Sequence, residues 1–89
     1  MRGKMETLLK EELRILAIRT RAHLNITQKE MANKLEMSES SYSDIETGRT
    51  MCGTLTTTLL FAEQEDPQEC LERLKIKLKK LYEEELQPI

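Results

Sequence analysis

The stretch that most restricts this chain is residues 27–48, TQKEMANKLEMSESSYSDIETG. Thr27 is a good N-cap residue, and Glu30 three positions later completes a capping box. Met31, Ala32 and Leu35 follow at helical spacing, so they share one inward face. Ser38 is a second N-cap three residues past Leu35. Tyr42 and Ile45 give the helix after it an inward stripe of its own, with Ser41 at its margin. Gly48 stops that helix by taking the left-handed conformation at little steric cost. Two helices of about eight residues joined by a turn of three or four form a helix-turn-helix, and the rest of the chain has to pack around it.

This stretch resembles the helix-turn-helix of the phage-repressor and Cro-like family, also called the xenobiotic-response-element type. The matching positions are Thr27, Gln28, Glu30, Ala32, Leu35, Ser38, Ile45, Glu46 and Gly48, with Met31 and Met37 as apolar equivalents. A looser likeness runs from about residue 15 to residue 62; no single pair of residues is diagnostic, but the joint pattern is specific. The resemblance implies an all-α, five-helix lambda-repressor-like DNA-binding domain, here followed by a long C-terminal helix. Residues 1–65 would form the helix-turn-helix domain and residues 66–89 a dimerisation element. The second helix of the pair would then enter the major groove of double-stranded DNA. Two departures stand out. Glu36 occupies the turn position where the family commonly has glycine, and a non-glycine residue with positive φ costs about 1–2 kcal/mol there. The loop at residues 49–54, RTMCGT, is one residue longer than the usual spacing and lacks the common proline.

The resemblance also assigns roles. The recognition helix is expected over about residues 39–46, with Glu39, Ser40, Ser43 and Asp44 at positions from which relatives touch bases or phosphates. Thr27, Gln28, Lys29 and Ser38 lie at or near the helix starts. In relatives a glutamine at the place of Gln28 bonds a phosphate and helps fix the recognition helix. Thr47, Arg49 and Thr50 lie just beyond it, where relatives touch the backbone, and Lys29 and Lys34 are either further backbone contacts or solvated surface. Arg21 stands where the family usually has an arginine paired with the glutamate that Glu46 matches, so Arg21 and Glu46 are read as a structural clamp. The outward row is unusual, because it contains no Arg, Lys, Gln or Asn, the side chains that make strong bidentate base contacts. Serine discriminates bases weakly, and a carboxylate is repelled by phosphates.

The remaining bounds are general ones. At 89 residues one domain is the default, and it is small for a self-sufficient core. One Phe, two Tyr and no Trp make that core aliphatic. The net charge of −2 and the pI near 5.5 count against a nucleic-acid binder at first sight. The charge is uneven, however: residues 1–50 carry nine Lys/Arg against eight Asp/Glu, and residues 51–89 carry five against eight. No apolar run approaches the roughly 20 residues of a membrane span. The start, MRGKMETLLKEEL, becomes charged too quickly for a secretory signal. Cys52 and Cys70 have no metal-type spacing with His23, and they read as reduced intracellular thiols rather than a disulfide or zinc site. His23, without a companion, reads as a solvated helix residue.

In chain order, residues 5–24 suggest a first helix with Leu9, Leu13, Leu16, Ala17, Thr20 and Leu24 inward and Ile15 and Ile18 widening the stripe. A fourth helix is expected over about residues 55–64, facing inward through Leu55, Leu59 and Ala62 with Phe61 beside them. Thr58 stands where relatives prefer an apolar residue, and the weak helix formers Thr56 to Thr58 leave that helix dependent on packing. Asp66-Pro67-Gln68-Glu69 is a strong helix start, and the fifth helix should run to about residue 85. Leu71, Leu74, Leu78 and Leu81 are spaced three, four and three, an a/d seam over nearly two heptads. The seam packs either on its own domain or on a second copy, and dimerisation is favoured.

The reading that follows is a cytoplasmic, non-enzymatic, sequence-specific DNA-binding regulator, acting as a homodimer on double-stranded DNA. No cofactor, metal, membrane or small-molecule ligand is implied, since no nucleophile–base set, metal cluster or phosphate loop is present. The rival reading is a protein-interaction module, an antitoxin-like or anti-regulator partner whose acidic recognition helix meets another protein.

Overall fold

The computed structural model describes residues 2–86, and the side chains of residues 3–84. Five helices follow one another: α1 (Arg2–Leu24), α2 (Gln28–Lys34), α3 (Glu39–Glu46), α4 (Thr54–Ala62) and α5 (Pro67–Leu86). Among the described residues there is no strand. The described residues are therefore all-α with five helices, consistent with a lambda-repressor-like fold.

The starts of α2 and α3 are set by their caps. Thr27 Oγ1 accepts from Glu30 N, and Thr27 N donates to the Glu30 carboxylate, both at 3.1 Å. Ser38 Oγ accepts from Ser41 N at 3.1 Å and donates to Ser41 Oγ at 2.8 Å. Each cap satisfies amide groups that the first turn leaves without an intrahelical partner.

Helices α1, α2 and α3 end alike. In each, one residue turns left-handed: Asn25 (φ 55°), Glu36 (φ 56°) and Gly48 (φ 79°). The amide after it reaches back to a carbonyl five residues earlier: Ile26 to Arg21, Met37 to Ala32, Arg49 to Asp44. The left-handed residue itself bonds three back: Asn25 to Ala22, Glu36 to Asn33, Gly48 to Ile45. These are Schellman closures, which normally select glycine or asparagine. Glu36 is the misfit of the three, and it carries the backbone strain of the turn between α2 and α3.

The core is Ala17 from α1, Met31, Ala32 and Leu35 from and after α2, Tyr42 and Ile45 from α3, and Leu60 from α4. Leu16, Leu24, Ile26, Met37, Cys52 and Leu59 pack around it. α1 starts at Arg2 rather than near residue 5. Hydrophobic periodicity is silent there, because RGK contains no apolar side chain.

α4 differs from the sequence expectation in both bounds and phase. It runs Thr54–Ala62, not 55–64, and Leu55 and Ala62 are exposed. Thr56 and Leu60, four residues apart and so on one face, are buried instead. Leu60 is fully enclosed by the core, and Thr56 Oγ1 lies 3.9 Å from Met37 Sδ. Thr58 is exposed and bonds back to Thr54 O at 2.8 Å. The helix ends early because the Gln64 side chain folds over it. Its amide donates to Leu60 O at 2.9 Å and to the buried Thr20 Oγ1 at 2.8 Å, tying the end of α4 to α1.

α5 begins with Asp66 Oδ1 accepting from Glu69 N at 3.1 Å, ahead of Pro67 in the first turn. It packs against α1 and α4. Leu74, Leu78 and Leu81 are half-buried, whereas Leu71 is 53% exposed. Lys77 pairs with Glu12 across the α1–α5 contact.

Candidate nucleic-acid interface

α3 is short, and one side of it is wholly inward. Tyr42 is fully buried and Ile45 and Glu46 nearly so. With that side anchored, helical geometry sends the opposite row outward. Glu39, Ser40, Thr47 and Arg49 are exposed, and Ser43 and Asp44 are half-buried. Thr27, Lys29 and Ser38 are exposed as well, and Gln28 is half-buried. α2 packs directly on α3, so the residues at the α2 start belong to the same body as the outward row.

A single carboxylate fixes this body. Arg21 Nε donates to Glu46 Oε2 at 2.6 Å, and Arg21 Nη2 donates to Oε1 at 3.1 Å, a fork-to-fork pair between α1 and α3. Gln28 Nε2 donates to Oε1 at 3.0 Å from α2. The buried Tyr42 hydroxyl donates to Oε2, and Ala17 O lies 3.3 Å from that hydroxyl. Arg21 Nη1 also reaches Ile26 O at 3.3 Å. Glu46 thus receives four donor contacts from three helices, and among the described residues no buried side-chain polar atom lacks a partner.

The ionisation of the cluster follows. Burial pushes the Glu46 carboxyl up, but hydrogen bonds from Arg21, Tyr42 and Gln28 outweigh it and hold the group below the usual carboxylate range. Burial, then the bonded and charged Glu46, push the Tyr42 hydroxyl up, so it stays a donor. The hydrogen bond to Glu46 raises Arg21. The sequence points to Arg21 and Glu46 as this joint, and to Gln28 as a residue that bonds a phosphate and helps fix the recognition helix; the bond to Glu46 is how it does the fixing. The Tyr42 hydroxyl is the partner the sequence does not reveal, because Tyr42 carries no signal beyond its apolar stripe. Gln28 spends one amide N–H on Glu46 and keeps the other.

Several outward groups are already engaged. The Ser38 hydroxyl both accepts from and donates to Ser41, and Thr27 Oγ1 is an acceptor in the capping box. Thr47 Oγ1 donates to Asp44 O at 3.2 Å. Arg49 is loosely paired with Asp44 at 3.9 Å, beyond hydrogen-bond length. Lys34 pairs with Glu63 at 3.2 Å, while Lys29 makes no ion pair among the described residues. Of these residues, the groups left free to bond outward are Ser40, Ser43, Lys29, the second amide N–H of Gln28 and the carboxylate of Glu39, with Arg49 and Asp44 loosely held to each other. His23 lies at the surface 3.6 Å from Glu65. Among the described residues no group of three or more His, Cys, Asp or Glu could hold a metal ion, and no helix is long and apolar enough to cross a membrane.

Residues 15–51 match a family model described as helix-turn-helix. The match spans the clamp, the turn and the outward row, and it ends in the loop before α4. No curated protein and no solved structure matches the chain.

Proposed function

We propose that residues 15–51, which match the helix-turn-helix family model, place the chain among the phage-repressor and Cro-like regulators, and that this protein is a sequence-specific regulator of transcription that occupies an operator in double-stranded DNA as a homodimer. The observation that carries the reading is the outward row of α3, exposed at Ser40 and backed by the Glu46 joint. In this reading Ser40 and Ser43 lie along base edges. Thr27, Gln28 through its spare amide N–H, Lys29 and Arg49 meet phosphates and sugars, and Ser38 and Thr47 join them by exchanging the bonds their hydroxyls donate to Ser41 and Asp44. Glu39 and Asp44 accept from cytosine amino groups and are repelled by the acceptor edge of guanine. The protein acts in the cytoplasm and performs no catalysis.

Dimerisation would place two recognition helices about one DNA turn apart. The α5 seam of Leu71, Leu74, Leu78 and Leu81 supplies the contact. Leu71 and the 43%-exposed Tyr82 are its free part, and Leu74 and Leu81 are shared with α1.

The test is selection from a random oligonucleotide pool, followed by salt titration of the winning site. With Lys29 and Arg49 as the cations of each protomer, a dimer makes about four phosphate contacts, so log K should fall against log salt with a slope of roughly −4. A selection that enriches no sequence would overturn the reading. It would favour the second one, a protein-interaction module, which the acidic Glu39 and Asp44 on the same face support.

A further inference from the structure

Away from the recognition face, α1, α4 and α5 enclose a cleft of about 170 Å³. Its apolar lining comes from Leu13, Ile15 and Leu16 of α1, Phe61 of α4 and Leu74 of α5. Arg19 and Arg73 stand in the same lining from opposite helices. The cleft's one carboxylate, Glu12, is held by Lys77, so those two charges neutralise each other. Arg19 makes no ion pair among the described residues, and the Arg73 guanidinium donates to Cys70 Sγ at 3.8 Å, a weak acceptor. Two guanidinium groups therefore border the apolar space without a direct carboxylate partner; both are exposed to water, and on their other side they line a second cleft with Glu63, Glu65, Asp66 and Glu69.

Size and chemistry narrow the occupant. A cavity of about 150 Å³ with apolar walls takes benzene, so this one has room for a single aryl ring or a chain of roughly six to eight carbons. Guanidinium presents a planar fork of donors that matches a carboxylate better than any neutral group. We propose that this cleft is a binding site for a small organic monocarboxylate with an apolar body, an arylcarboxylate or a short-chain alkyl carboxylate. The body lies against Leu13, Leu16, Phe61 and Leu74, and the carboxylate is held between Arg19 and Arg73. Such a ligand touches α1, which carries the clamp arginine, and α5, which carries the dimer seam. It is therefore placed to fix one against the other.

The experiment is a methyl NMR titration of the full chain with phenylacetate and with octanoate, set beside phenylethanol and octanol as uncharged counterparts. The acids should give saturable shifts at Leu13, Leu16 and Leu74, and each alcohol should bind at least about tenfold more weakly, the loss expected for a charge-assisted hydrogen bond. The double variant R19A/R73A, altered at surface positions and checked for an unchanged melt, should bring the acids to the level of the alcohols. Shifts that stay linear to about 10 mM acid, or equal affinities for acid and alcohol, would overturn the proposal without any variant being made. No DNA is present in the titration, so its outcome is separate from that of the oligonucleotide selection.

Discussion

Glu46 is the last residue of α3, and its carboxylate ties that helix to α1 and α2. Removing Arg21 leaves a nearly buried carboxylate with only neutral donors, which costs about 3 kcal/mol. In a domain of this size R21A should therefore lower Tm by more than about 10 °C in a thermal melt. An unchanged melt would remove the clamp. The acid response follows from the direction of the Glu46 shift. The folded carboxyl lies below its ordinary value of 4.5, so its stabilisation is complete above that value and disappears as pH falls through the lower, folded one. Glu46→Gln should consequently melt well below the parent at pH 7. The gap should close as pH drops under 4.5, where the parent's carboxylate also gains a proton. Glu36 works in the opposite sense. Its φ of 56° suits glycine, so Glu36→Gly should gain about 1 kcal/mol, read as a Tm rise of several degrees.

Among the helices, α2 and α3 were legible from sequence because their boundaries are written in side chains: Thr27 with Glu30, Ser38, and Gly48. The joint was half legible. Arg21 and Glu46 carry charge and lie 25 residues apart in a recognisable frame, whereas the contribution of Tyr42 is a hydroxyl on an otherwise apolar stripe. α4 was misread because its phase is not local. Leu55, Leu59, Leu60, Phe61 and Ala62 offer several nearly equivalent faces. The choice among them is made by Met37 and the closing Gln64–Thr20 bond, which no spacing reveals. Its packing can be checked directly. Leu60→Ala should cost about 3 kcal/mol by urea denaturation, because it empties a fully buried site, whereas Leu55→Ala, 58% exposed, should stay within about 0.5 kcal/mol.

The whole molecule measures 48 × 26 × 19 Å, elongated because α1 and α5 outrun the compact body formed with the three short helices. That shape leaves the side of α5 bearing Leu71 and Tyr82 open to a second copy. Leu71→Glu, placed where the fold itself is not disturbed, should convert the proposed dimer to a monomer in sedimentation velocity. A species of unchanged mass would put the interface elsewhere. The convergence of Arg21, Gln28 and Tyr42 on one acidic group has a practical corollary for genetics. Under the proposed function, a screen that scores only operator occupancy would rank Arg21 and Tyr42 beside Ser40 and Ser43, although those two meet no nucleotide. Pairing each score with a measured unfolding midpoint is what would tell the hinge pins from the reading edge.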